Sequence, residues 1–405
     1  MTRARALVTV VVVAGLALPW LGAVLLHATL TPPMTSLLAG LAILSGSILL
    51  TWGVEVAEHD LPGTLSITLL ALLAVLPEYA VDATYAWSAA RDPESASYAT
   101  ANMTGANRLL VGVGWAAVFL VMWWKKGRSR VELGRDMRLD IAVLGLATLY
   151  SLVPALLGRI SLIDTVVLVS LYGTYVVLGL RIAKREPDAD EEAGGVSATL
   201  GELPRAGRLG VVASIFVYSG AAILFAAGPF AHGLVATGKG WGVDEFLLVQ
   251  WVAPLASEAP ELIVAIVLAA HGKAQLGLRA LVSSKVNQWT LLVGTLPLVS
   301  SLGARRVVSL PLDVRQKEEL LLTISQSSLA VVMISSRDLR GWEALVLLAL
   351  FIGQVASPTV STRTGFTAAY VVLTVILLAS SSDYRKGIVA ALRFLVTGAQ
   401  SAPDR

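Results

Sequence analysis

Two pairs of acidic residues sit inside long apolar stretches of this 405-residue chain. Glu78 and Asp82 fall within LAVLPEYAVDATYAW, and Glu258 and Glu261 fall within LASEAPELIVAIVLAA. Spacings of four and three residues put each pair on one helix face. A carboxylate at the centre of a bilayer costs at least ~2.5–3.5 kcal/mol on insertion scales. Two on one face also repel each other unless a cation or protons join them. Carboxylate oxygens suit hard ions such as Ca²⁺ or Na⁺. The spacing therefore makes all four acids candidates for cation binding.

Proline precedes the central glutamate in both stretches. Pro77 cannot donate to the carbonyl of Leu73, nor Pro260 to that of Ala256. Free carbonyls at membrane depth are tolerated where they line a polar cavity, and they too bind hard cations. The segment following each acidic stretch supplies neutral oxygens. These are Asn102, Thr104 and Asn107 in the first copy, and Ser283, Ser284, Asn287 and Gln288 in the second. Each segment also carries a cation, Arg108 or Lys285. These are charge-compensating candidates, Arg108 for Glu78 or Asp82 and Lys285 for Glu258 or Glu261. A second reading makes the tethered cation a substitute for a transported one.

Positioning these groups requires helices that cross a membrane. Hydrophobic residues make up 56% of the chain and charged ones 15%, against about 25% charged in soluble domains. The apolar residues come in blocks long enough to span a bilayer. The expected helices are at about 6–27, 35–56, 64–90, 98–124, 139–157 and 161–182, then 209–231, 244–270, 276–303, 319–335, 342–360 and 365–382. The first is read as a membrane helix, being too long for a signal peptide and lacking a small-x-small end. Residues 184–208, with Asp188, Asp190, Glu191 and Glu192, read as a solvated acidic linker on the cytoplasmic side. Glu55, Glu58 and Asp60 read as a solvated helix edge. There is no cysteine, so disulfides, thiolate nucleophiles and Cys-based metal sites are excluded. The net charge of +3 resides in loops and orients the helices, with no nucleic-acid partner implied.

The two acidic stretches belong to a repeat. Each is followed by a short loop, a helix rich in small and amide residues, and a charged loop with an Asp: Asp136 or Asp140 in one copy, Asp313 in the other. The units run over 35–182 and 209–360, five helices each. An odd number inverts the second copy in the membrane, the arrangement of secondary transporters with a midplane site. Inversion also accounts for the loop 304–318, whose Arg305, Arg306, Arg315 and Lys317 fall outside although basic loops favour the cytoplasm. The fold class is thus an all-α polytopic membrane protein of about twelve transmembrane helices: two inverted five-helix repeats with one extra helix at each end. The domains are 1–34, 35–182 (core repeat at about 64–124), 183–208, 209–360 (core repeat at about 244–303) and 361–405. Both termini are expected on the cytoplasmic face of the inner membrane.

The residues PEY (77–79) and PEL (260–262) resemble the sodium/calcium exchanger family of the calcium/cation antiporter superfamily. That family has two alpha-repeats, each with a helix like GTSLPEL and a following helix like GNxxGSNxxN. The resemblance covers most of 35–360 and implies that Glu78 and Glu261 are the central ion-ligating carboxylates. Ser257 falls where the family has the Thr of GTS. NMTGAN (102–107) makes Asn107 the counterpart of the family's Asn, whereas ungapped counting from Glu78 selects Asn102. In the second copy SSK (283–285) aligns with GSN, so Lys285 replaces the Asn, and Gln288 replaces the last Asn. Asp82 and Glu258 stand where the family has small residues. The resemblance implies an antiporter that moves Ca²⁺ or another cation against Na⁺ or H⁺ by alternating access, with transported cations as ligands and no cofactor. The Lys keeps a monovalent cation/proton antiporter open as an alternative. An intramembrane enzyme using a carboxylate pair and Mg²⁺ is the reading from another class. Such enzymes place acids in interfacial loops, whereas these are mid-helix and duplicated.

Overall fold

The computed structural model describes residues 2–57, 76–92, 94–134, 137–183, 195–356 and 359–397. Its helices are α1 (Arg3–Gly15), α2 (Leu18–Leu25), α3 (Pro32–Ala57), α4 (Leu76–Ser88), α5 (Glu94–Leu109), α6 (Ala116–Lys126), α7 (Met137–Tyr150), α8 (Leu152–Leu157) and α9 (Leu162–Ala183). They continue with α10 (Val196–Gly201), α11 (Arg205–Trp241), α12 (Glu245–Ala270), α13 (Ala274–Asn287), α14 (Val293–Ala304), α15 (Val314–Ser335), α16 (Gly341–Ala356), α17 (Val360–Ser380) and α18 (Ser382–Thr397). A π-turn, Leu110–Trp115, joins α5 to α6, and a second, Gln288–Leu292, joins α13 to α14. Four short strands lie in the connections: β1 (Arg130–Glu132), β2 (Arg159–Ile160), β3 (Leu310–Pro311) and β4 (Asp338–Arg340).

Among the described residues seven helices are long and apolar enough to cross a membrane, and nine spans result if each of two bent pairs counts as one. One bent pair is α1 with α2, at 44°, where a single helix over 6–27 was expected. Pro19 stands in the first turn of α2 and cannot donate to a preceding carbonyl, so the chain turns there. The other is α12, whose halves meet at 57° where Pro260 falls. The expected start of the helix over 64–90, Leu73, Glu58, Asp60, Asp136 and the acidic run 188–192 lie outside the described residues.

Three further expectations differ in detail. The helix expected from 319 begins at Val314, because Asp313 and Gln316 form a reciprocal capping box. Arg315 and Lys317 thus lie in a first helical turn rather than a loop. Asp140 likewise sits in the first turn of α7, not in the charged loop before it. Within the stretch read as a solvated linker, residues 196–201 form α10. Val196 and Leu200 are buried there with Val56, Ala57 and Val212, apolar contacts too sparse to show as a period in the sequence.

The chain forms two compact units, Met1–Tyr85 with Pro187–Pro260, and Ala86–Glu186 with Glu261–Arg405. In the first, α3 packs along α11. Small residues permit the close approach: a Cβ on Gly53 would lie 2.7 Å from the Ile215 side chain. In the second, the polar helices are central and the apolar ones peripheral. The α15 span is 83% buried and the α5–α6 span 78%, whereas those of α9 and α17 are 11% buried. Exposed Ile163, Val166, Val372 and Val375 on the last two face outward, as lipid-facing residues do. β1 follows α6 and pairs antiparallel with β4, which precedes α16; β2 precedes α9 and pairs with β3, which follows α14. Exchanging the two sequence copies maps this pairing onto itself.

Candidate cation-binding site

In the first unit, Pro77 lies within α4 (Leu76–Ser88). Glu78 and Asp82 follow one turn apart, 2% and 0% exposed. The Tyr85 hydroxyl donates to the carbonyl of Ala231 (3.2 Å), tying the end of this stretch to α11. On α12, Glu258 is 0% exposed and Ser257 is buried, its hydroxyl donating to the Ala253 carbonyl at 3.2 Å.

In the second unit, Glu261 is the first residue past Pro260 and is partly exposed. α13 runs close against this half of α12. A Cβ on Gly277 would lie 2.5 Å from the Ala265 carbonyl oxygen, so only glycine permits the approach. Asn102, Thr104, Asn107 and Arg108 are all buried on α5. The Thr104 hydroxyl donates to the Thr100 carbonyl at 2.7 Å, and Asn107 Nδ2 donates to the Met103 carbonyl at 2.9 Å. On α13, Lys285 and Asn287 are buried, and Gln288, in the π-turn that follows, is 0% exposed. The buried Ser284 hydroxyl has no hydrogen-bond partner among the described residues, which leaves its oxygen available to a ligand.

The structure brings three further groups to these residues. Lys285 Nζ donates to both the carbonyl and the Oδ1 of Asn107, at 3.1 Å each. Arg108 Nη2 donates to Glu319 Oε2 on α15 at 2.6 Å. Arg363 on α17 pairs with Glu318 at 2.8 Å and approaches Glu319 at 3.8 Å, so two buried arginines and two glutamates form one network. Ser283 donates to Asp140 Oδ1 at 2.9 Å, and the Tyr175 hydroxyl donates to the same oxygen at 2.7 Å. Sequence reasoning placed Ser283 among ion ligands and missed Tyr175, Glu319 and Arg363. The adjacent acids Glu318 and Glu319 at an expected helix start were the available signal for the network. Tyr175 lies in an apolar helix and leaves none.

Chemically, the first unit holds the buried carboxylates of Glu78, Asp82 and Glu258, and the second holds Glu261 together with buried amide oxygens and hydroxyls on helices interrupted by π-turns. Such breaks recur at functional sites because they free carbonyls. Oxygen donors of these types suit hard cations and protons.

The family model described as Sodium/calcium exchanger protein matches the chain twice, at residues 31–180 and 211–360. The chain belongs to the sodium/calcium exchanger family. It is a multi-pass membrane protein and a cation exchanger, not an enzyme, which removes the carboxylate-pair enzyme from consideration. Among solved structures, this exchanger is similar to the H⁺/Ca²⁺ exchanger CAX, with 42% identity over 98% of each chain and a TM-score of 0.92. Native YfkE aligns at 14% identity over 89% of this chain and 99% of its own, with a TM-score of 0.61. The sodium-calcium exchanger NCX_Mj, soaked with 10 mM Na⁺ and zero Ca²⁺, aligns at 18% identity over 81% and 99%, with a TM-score of 0.52. The last two show the fold alone. A comparison with curated proteins gives no match.

Proposed function

We propose that this exchanger moves Ca²⁺ against H⁺ by alternating access, with Glu78 and Glu261 as the carboxylates that bind the metal. The similarity to the H⁺/Ca²⁺ exchanger CAX over almost the whole chain carries this reading. Acids at both Pro-Glu positions, Glu78 buried and Glu261 partly exposed, support it physically. Two carboxylates neutralise one divalent cation, and the same oxygens, once the metal leaves, take up protons instead. Competition of this kind couples the two fluxes, because a helix group carrying unneutralised charge cannot reorient through a low-dielectric layer. Asp82 and Glu258 carry protons or adjust charge. Asn102, Thr104, Asn107, Ser257, Ser284, Asn287 and Gln288 supply neutral oxygens, and Ser283 shares its hydroxyl with Asp140. About twelve transmembrane helices in two inverted repeats, with both termini at the cytoplasmic face of the inner membrane, complete the reading. The strand pairing that maps onto itself supports the repeat.

The test is Ca²⁺ uptake by proteoliposomes holding the full chain, driven in turn by a pH gradient and a Na⁺ gradient. Uptake driven by the pH gradient and indifferent to Na⁺ is the expected result. Uptake driven by Na⁺ alone, or monovalent-cation/H⁺ exchange without Ca²⁺, would refute Ca²⁺/H⁺ exchange.

A further inference from the structure

The exchange reading assigns no role to the ammonium of Lys285. This side chain is 0% exposed, and an ionisable residue buried inside a membrane protein is expensive and marks a functional position. Its nitrogen stands 3.1 Å from the carbonyl oxygen of Asn107 and 3.1 Å from Oδ1 of the same residue. It also lies 5.2 Å from the centroid of the Trp289 ring, within cation–π range. The Asn107 amide is held in this orientation, because its Nδ2 donates back to the Met103 carbonyl at 2.9 Å. Oδ1 therefore faces the ammonium.

Register adds a second observation. Asn107 is the third residue before the π-turn that begins at Leu110, and Lys285 is the third before the π-turn that begins at Gln288. Residues of the same rank in the two copies thus meet, and one of them carries a charge. A carbonyl and an amide oxygen converging on one point, beside a π-face, is an arrangement a monovalent hard cation would accept. Here an ammonium on a four-carbon stem occupies that point, two of its three donors directed at those oxygens. A neutral side chain would make the same helix contact without the cost of burying a charge.

We propose that Lys285 is a tethered cation that permanently fills a monovalent-cation site at Asn107, and so makes this exchanger indifferent to Na⁺. The proposal rests on the cation-exchange reading, but its primary readout is Na⁺ binding, which does not depend on which ion is transported. Equilibrium binding of radiolabelled Na⁺ is measured on the purified full chain for wild type, Lys285→Asn, Lys285→Gln and Lys285→Arg, with Ca²⁺ uptake in proteoliposomes alongside. Wild type and Lys285→Arg should show no saturable Na⁺ binding. Lys285→Asn removes the charge and opens space. It should bind Na⁺ at least about tenfold more tightly than wild type, a modest demand for relieving repulsion at contact distance, and Na⁺ should then inhibit its Ca²⁺ uptake. Both neutral variants eluting as folded protein with Na⁺ binding no better than wild type would overturn the proposal. So would unfolding of both neutral variants, which would make the ammonium a structural strut. A gain of Na⁺ binding in Lys285→Asn with no Ca²⁺ uptake by wild type under any gradient would uphold the tethered cation and remove the Ca²⁺ reading instead.

Discussion

A glutamate packed at membrane depth is an inefficient helix contact unless it holds something, since glutamine makes the same contact without the charge. Glu78 and Asp82 are 2% and 0% exposed, and Glu258 is 0% exposed, so water does not solvate these acids. At this scale the proposed function has a direct consequence. Glu78→Gln and Glu261→Gln keep shape and helix propensity but remove the negative charge that binds the metal. Each should reduce Ca²⁺ uptake by at least about 30-fold, the loss expected when one partner of a buried charge pair is truncated. Both should still elute as monodisperse protein. Near-normal uptake by both would end the assignment. Asp140 shows how neighbours decide a residue's role. Its Oδ1 takes the hydroxyls of both Ser283 and Tyr175, so Ser283 is shared with an acid outside the Pro-Glu helices.

Between elements, the polar contacts of α5 divide into two sets. Asn107 meets α13 through Lys285, while Arg108, the next residue, meets α15 through Glu319. The second contact is a 2.6 Å ion pair with both side chains almost fully buried. Gln326 on α15 also donates to the Arg108 carbonyl at 3.4 Å. A buried pair contributes little net stability relative to an apolar one, but halving it strands a charge. Arg108→Met or Glu319→Leu alone should therefore destabilise the protein by about 3–5 kcal/mol. The double replacement should be much closer to wild type. Thermal unfolding in detergent measures both, and additive losses in the double variant would show that the pair is not coupled. The capping box of Asp313 and Gln316 fixes where α15 starts, and with it the height of Glu319 on that helix.

For the whole molecule, the exchange reading makes the folded state a ligand-linked one. A metal that binds only the folded chain stabilises it by mass action, about 2.7 kcal/mol at a hundred times the dissociation constant. Protons compete with Ca²⁺ for the same carboxylates, so affinity falls as pH falls. Added Ca²⁺ should raise the unfolding temperature of the full chain in alkaline buffer, do so less in acid buffer, and lose the effect when a chelator is added. A Ca²⁺ stabilisation equal at both pH values would contradict competition at shared carboxylates. The two-fold match of the family model, over 31–180 and 211–360, fits a chain in which each half contributes one Pro-Glu helix.

The apolar blocks and the duplicated Pro-Glu motif were legible without coordinates, because hydropathy over a span and a charge inside it are properties of a contiguous segment. For the same reason Glu78, Asp82, Glu258 and Glu261 stood out at once. Helix ends were less legible: α15 starts five residues before the expected position because its start depends on a cap rather than on hydropathy. The burial of Val196 and Leu200 in the acidic linker was not legible either, since a six-residue helix has no period to read. Partners were hidden altogether. Arg108 and Glu319 are 211 residues apart, and Lys285 and Asn107 are 178 apart. Spacing along the chain places groups on one helix face, but only the packing of one helix against another decides which charge meets which oxygen.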